Sequence, residues 1–269
     1  MAVKLSDNEY NLILSNDINT NGHTQWFFFR VTNTKKDHWA RFNIINLSKP
    51  DSLFNYGMKV LVFSEAEAQK GWFRGGRDIS YYKNCFAKIR ANVGNPKFYY
   101  SATFTYDFTR DNDTIYFAYS QPYTYSDLRE DLEKIQKNPE MAKYVSRNTL
   151  CRTIAGNKCE YLTITARDNP DNKIERKGVF VSARVHPGET NSSWMMKGLI
   201  DFLVSEHVEA KILREHFVFK IVPMINPDGV INGNYRCSLS GGDLNRRYKN
   251  PSKVLQPVIF AIKRLCKAF

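Results

Sequence analysis

His186-Pro187-Gly188-Glu189 sets an imidazole and a carboxylate three residues apart, where the apolar run GVFVSAR (178 to 184) gives way to a second apolar stretch. Neutral imidazole nitrogen and carboxylate oxygen are both zinc donors, and a catalytic zinc takes three protein ligands and keeps one position for water. His186 and Glu189 therefore read as part of a metal site that needs a third ligand. The proline and glycine between them impose a tight turn, so that both side chains can converge from one corner. Composition alone would place a His-x-x-Glu in roughly one chain in five of this length and content. A second reading fits the same residues: a helix start at which Glu189 faces the positive end of the helix dipole.

The elements around this corner read as an α/β arrangement. GVFVSAR and HFVFKIVPMI are apolar enough to be strands covered on both faces, and SSWMMKGLIDFLVS between them is a helix, apolar nearly all round and expected to be buried. Strand, helix, strand in this order predicts a parallel or mixed sheet. In such sheets ligands bind beyond the carboxyl ends of the strands, where both the corner at 186 to 189 and the loop beginning at Asn226 fall. Upstream, YTYSDLREDLEKIQKN predicts a helix with Asp127 and Glu130 in capping-box spacing. A strand follows at YLTITA and a polar turn at RDNPDNKIERKG.

Before Pro122 the pattern differs. WFFFRVT, ARFNIIN, MKVLVFS, FYYSATFTY and TIYFAYS are short aromatic and β-branched runs separated by clusters such as NVGNP and TRDNDT. They predict an antiparallel β-sandwich. The fold class is thus β followed by α/β, with one domain over 1–121 and a second over 122–269. The exposed-looking aromatics, Trp26, Trp39, Trp72, Tyr81 and Tyr82 among them, read first as packing and second as a binding platform.

A formal net charge of +12 points to an acidic partner. The cations are scattered and no nucleic-acid signature is present, so an acidic polypeptide ranks above nucleic acid. The five cysteines form no Cys-x-x-Cys pair, the amino terminus carries no apolar signal core, and no apolar run of membrane-spanning length occurs. A reducing cytosol and no membrane contact are the expectation.

The loop NPDGVINGNYRCSLSGGDLNRRY (226 to 248) carries Arg236, Asn245, Arg246 and Arg247. Arginine grips carboxylates through a planar two-point fork, so these residues suit a site that reads a free carboxylate. Alone, they would also suit a solvated basic loop. Together, SARVHPGETNSSWMMKGLIDFL and FKIVPMINPDGVINGNYRCSLSGGDLNRRY resemble the zinc metallocarboxypeptidase family, in its cytosolic, tubulin-deglutamylating branch. The segments WFFFRVTN, RFNIINLSK, FNYGM, YYKN and FAYSQPYTYSDL resemble the β-sandwich that precedes the catalytic domain in that branch.

The resemblance implies one bound Zn2+ held by His186 and Glu189, with Arg236 polarising the scissile carbonyl and Asn245 and Arg246 holding the substrate's terminal carboxylate. Arg247 has no assigned role. It also implies removal of glutamates from acidic tails such as those of tubulin, in the cytoplasm near microtubules, cilia or basal bodies. The family's third zinc ligand and general-base glutamate lie on segments beyond Phe269, so the chain is expected to be an incomplete catalytic domain. The alternative is an inactive fragment or a binding module for acidic tails. His207 and His216 lie at the wrong end of the following strand to replace the missing ligand, and His23 and His38 fit no motif.

Overall fold

The computed structural model describes residues 1–88, 97–167 and 175–269, which form two units, Met1–Pro122 and Tyr123–Phe269. NVGNP and most of RDNPDNKIERKG lie outside the described residues. The described residues of the first unit hold nine strands: β1 (Ala2–Ser6), β2 (Glu9–Leu12), β3 (Phe28–Val31), β4 (Trp39–Leu47), β5 (Val60–Ser64), β6 (Phe73–Gly75), β7 (Arg77–Ala87), β8 (Phe98–Asp107) and β9 (Ile115–Ala118). They form one sheet in the order β1-β2-β4-β8-β7 and another in the order β3-β9-β5-β6. Inward-facing side chains from both sheets make a shared core, in which Phe42 and Phe104 of one meet Phe29 and Phe117 of the other. Aromatic rings at such spacings add edge and offset-stacking energy to the area they bury.

This sandwich departs from the sequence expectation in its topology and in four strands that were not expected, β1, β2, β6 and β7. β2 and β4 run parallel, because residues 13–38 cross over to place β3 in the opposite sheet before the chain returns. β7 was not expected as a strand: its only buried residue is Tyr81, so an edge position gave it no apolar alternation to read.

The second unit contains α1 (Tyr125–Lys137), α2 (Pro139–Ala142), β10 (Val145–Arg152), β11 (Lys158–Ile164), β12 (Lys177–Ser182), α3 (Thr190–Leu203), α4 (Val208–His216), β13 (Phe217–Val222), α5 (Pro227–Asn232) and α6 (Pro257–Ala268). Its sheet runs β10-β11-β13-β12, with β12 and β13 parallel and the other pairs antiparallel. The α1 cap is Thr124, which accepts from the Asp127 amide while Asp127 accepts from the Thr124 amide, so the capping box lies three residues earlier than expected. Arg147 of β10 forks onto the buried Glu160 of β11 through Nε and a terminal nitrogen, both at 2.8 Å, and donates to Gln136 of α1.

β12 and α3 are less covered than their composition implied. Among the described residues β12 has only β13 beside it, and its residues are half-buried or exposed. α3 buries the stripe Thr190, Ser193, Met196, Ile200 and Leu203 but leaves Met195 74% exposed, so apolar content overstated its burial. Arg214 joins α3 to α4: its guanidinium donates to the carbonyls of Leu203 and Ser205 and lies 3.9 Å over the Tyr144 ring. The Leu203 carbonyl is one of the orphan acceptors at the end of α3, which a cation satisfies well.

β13 anchors the sheet, with Ile221 fully buried between Leu162 of β11 and Val181 of β12. Ile221→Ala is expected to destabilise the unit by about 2–5 kcal/mol, as a cavity at a site that cannot collapse. A fall in the thermal unfolding midpoint of the intact protein measures it, and an unchanged midpoint would contradict this account of the core.

Candidate functional site

β12 and β13 end side by side, and the chain continues from each in register. Ala183 donates to Val222 O at 3.0 Å, Ile225 to Ala183 O at 3.0 Å and Asn226 to Arg184 O at 3.2 Å, which zips the two loops together beyond the sheet. Arg184 then turns the chain with a left-handed backbone (φ 54). That conformation is uncommon outside glycine, and the Arg184 side chain braces it from inside. Nε donates to Pro187 O at 2.8 Å, and one terminal nitrogen reaches Ser193 Oγ at 2.8 Å and Tyr123 O at 3.1 Å. Burial pushes this guanidinium down to about 10, with Tyr123 and Glu189 pulling the other way.

Past this turn His186 is buried, and its two ring nitrogens face two carboxylates. Nδ1 lies 3.0 Å from Glu189 Oε1 and Nε2 lies 3.1 Å from Asp243 Oδ1. Glu189 sits at the N-cap position of α3, yet its side chain caps nothing. The carboxylate thus stands at the positive end of the α3 dipole without a capping hydrogen bond, and its side chain contacts His186. Asp243 divides its oxygens: Oδ1 serves His186 and the Asn245 amide, and Oδ2 takes Arg236 through Nε and a terminal nitrogen, both at 2.8 Å. Burial pushes the Asp243 carboxyl up, but the bond from His186, the Asn245 amide and the Arg236 charge outweigh it, leaving the group below its ordinary value.

This arrangement fits a cation between His186 and Glu189. An imidazolium would donate to both carboxylates, whereas a neutral imidazole owns one N–H and leaves its other nitrogen free to bind a cation. Asp243 is the natural acceptor for that hydrogen, as carboxylates commonly are beside metal-bound histidines. In that tautomer Nδ1 would offer its lone pair to a metal lying between it and Glu189. Donors bound tetrahedrally to one zinc at about 2.0–2.1 Å would lie about 3.3 Å apart, close to the spacing seen. Among the described residues no group of three or more His, Cys, Asp or Glu is arranged to hold a metal.

The remaining loop is fixed by small polar contacts. Asn226 accepts from the Gly229 amide, Gly188 donates to Tyr235 O at 2.8 Å, and the buried Asp228 accepts from Thr153 Oγ1, the Ala155 amide and Asn157 Nδ2. A Cβ on Gly229 would lie 2.4 Å from Pro187 Cγ, which is why this position has no side chain. Asn245 and Arg246 lie on a single 3-10 turn, Leu244–Arg246, with both side chains exposed, and Arg247 follows, also exposed. His186, Glu189 and Arg236 are thus brought together around Asp243, while Asn245 and Arg246 stand beside them on its turn. His207 and His216 lie at the two ends of α4, before β13 begins. Asp243, Arg184 and Asp228 were missed as site-forming residues. Asp243 stands in the Asp-Leu-Asn-Arg segment already singled out, where the signal was an acid directly ahead of a polar turn.

Residues 128–257 match the zinc carboxypeptidase family profile. The chain is 48% identical over 278 residues to human cytosolic carboxypeptidase 1, covering 98% of this chain and 22% of that protein. It is 48% identical over 270 residues to human cytosolic carboxypeptidase 2, covering 99% of this chain and 29% of that one. The chain thus spans under a third of the length of either. Among solved structures, a metallo-carboxypeptidase from Burkholderia cenocepacia matches with a TM-score of 0.78 at 24% identity, over 100% of this chain and 64% of its own. One from Pseudomonas aeruginosa matches at 0.76 and 23%, over 99% and 63%. At these identities the structural matches speak for the fold. No helix among the described residues is long and apolar enough to cross a membrane.

Two outcomes test the geometry. Asp243→Asn is expected to weaken zinc binding by the intact protein about 10–100-fold, the usual consequence of losing the partner of a metal-bound histidine; competition with a chromogenic chelator reads it. Gly229→Ala is expected to cost about 1–3 kcal/mol by overpacking against Pro187, seen as a lower unfolding midpoint. Unaltered zinc affinity in the first or an unaltered midpoint in the second would remove the corresponding contact from the account.

Proposed function

The chain belongs to the zinc carboxypeptidase family, and on that premise we propose that it carries part of the catalytic site of a carboxypeptidase removing terminal glutamates from acidic protein tails, tubulin's among them. The observation that carries this reading is the His186–Glu189 contact, which brings an imidazole nitrogen and a carboxylate oxygen within 3.0 Å of each other while Asp243 holds the far side of the ring.

In this reading His186 and Glu189 hold zinc, which when bound lowers the pKa of water and polarises a carbonyl as a Lewis acid. Asp243 keeps the imidazole in the tautomer that leaves Nδ1 for the metal. The same carboxylate clamps Arg236, so that a fixed guanidinium meets the negative charge that grows on the scissile carbonyl oxygen. Asn245 and Arg246 receive the terminal carboxylate of the substrate, which makes the reaction an exopeptidase cleavage. Their placement on the turn that Asp243 caps ties the carboxylate contacts to the metal side of the site. The net charge of +12 favours acidic tails by electrostatic steering. The relatives named cytosolic support work in the cytoplasm, and action on microtubules, cilia or basal bodies belongs to the same proposal.

The intact protein, supplied with zinc, is expected to release free glutamate from a peptide ending in several glutamates, and to spare the same peptide with an amidated carboxyl terminus. Glu189→Gln should abolish release, and Arg236→Ala should lower kcat/KM by about 10²–10³-fold, the range for a lost oxyanion donor. Cleavage of the amidated peptide, or full release by Glu189→Gln, would refute the assignment. Tight binding of the acidic peptide with no release would instead favour a binding module.

A further inference from the structure

Beyond the Asn245–Arg246 turn the chain changes character: from Arg247 to Phe269 it holds six Lys or Arg and no Asp or Glu. Part of this charge lines a cleft of about 520 Å³ between residues 249–252 and the exposed side of α6. Its walls include Lys249, Ser252, Phe260, Lys263, Arg264 and Lys267, with no carboxylate among the lining residues. Lys263 spans the cleft, donating to Lys249 O at 2.8 Å. Among the described residues none of these four cations is paired with an acid.

Like charges at helix spacings of three and four, here Arg264 with Lys267 and Lys263 with Lys267, repel when nothing lies between them. Elsewhere on the surface the helices offset such charges locally, as Lys134 does with Glu130 and Lys197 with Asp201. α6 has no acid with which to do so. The spacing suits one kind of ligand: Lys263 and Lys267 are about 6 Å apart along the helix axis. An extended peptide repeats its side chains on one side about every 6.6–6.8 Å. Phe260 and Pro251 give the walls an apolar component against which a peptide backbone or methylene groups can rest.

We propose that this cleft binds an extended, carboxylate-rich polypeptide, holding further carboxylates of the acidic chain whose terminus meets Asn245 and Arg246. The inference rests on the carboxypeptidase reading above and adds to it a second point of attachment. Selection then acts on the length of an acidic tail as well as on its last residue.

Fluorescence anisotropy of the intact protein in chelator-containing buffer, with a labelled peptide ending in ten glutamates, tests binding without turnover. Arg264→Glu/Lys267→Glu is expected to raise Kd about tenfold at low salt, and Arg264→Gln/Lys267→Gln to raise it less. The reversal Lys134→Glu/Lys137→Glu on α1 should leave Kd as it is. Unfolding midpoints near that of the unmodified protein establish that the variants are folded. A Kd unchanged within about twofold in the α6 variants, or one that rises equally with the α1 reversal, would overturn the proposal. So would a loss confined to binding of a single-stranded oligonucleotide or of phosphatidylserine vesicles, which would make the cleft a nucleic-acid or membrane site. Failure of glutamate release with the α6 effect intact would count against the carboxypeptidase reading and leave the cleft standing. Normal release with no α6 effect would remove the cleft alone.

Discussion

The parallel pairing of β12 with β13 is the constraint on which the site depends. It makes two loops, separated by two helices in sequence, leave the sheet at the same end and zip together through Ala183, Ile225 and Asn226. Without that register His186 and Asp243, 57 residues apart, would have no reason to meet. The antiparallel pairs in the same sheet, β10 with β11 and β11 with β13, support this arrangement by burying Leu162, Ile164 and Ile221. The chemistry-bearing side chains then need only short reaches from fixed backbone. Short reaches are what hold functional groups to narrow geometry.

The two-step turn after β12 illustrates how this precision is kept in place. Arg184 adopts a backbone conformation that few residues tolerate, and its buried guanidinium is bonded to the carbonyls of Tyr123 and Pro187 and to Ser193. A cation with neutral acceptors is an expensive component of a core, and its use here agrees with the tendency of strain to collect beside functional residues. Gly229 plays the complementary part, since its missing side chain is the space that Pro187 occupies.

The strands of the sandwich core and the helix and strand periods of the second unit were legible because burial and secondary structure share a period there. Edge elements were not: β7 and the half-buried β12 carry composition that does not reveal which neighbour they have. The corner at His186 was legible as a candidate because Pro187 and Gly188 announce a turn. Asp243 was harder, since its importance lies in the two oxygens it divides between partners distant in sequence, and no local spacing encodes that. The apolar composition of α3 misled in the opposite direction, with Met195 outward in spite of its type.

Because Asp243 also caps the turn that presents Asn245 and Arg246, its single carboxylate is shared property of the imidazole, the guanidinium and that turn. A ligand that shifts the turn alters the hold on His186, and a ligand that shifts His186 alters the turn. Thermodynamics requires the two influences to be equal in free energy. On the proposed function, the metal side and the carboxylate side of the site would be linked through this one side chain, and binding at either would be felt at the other.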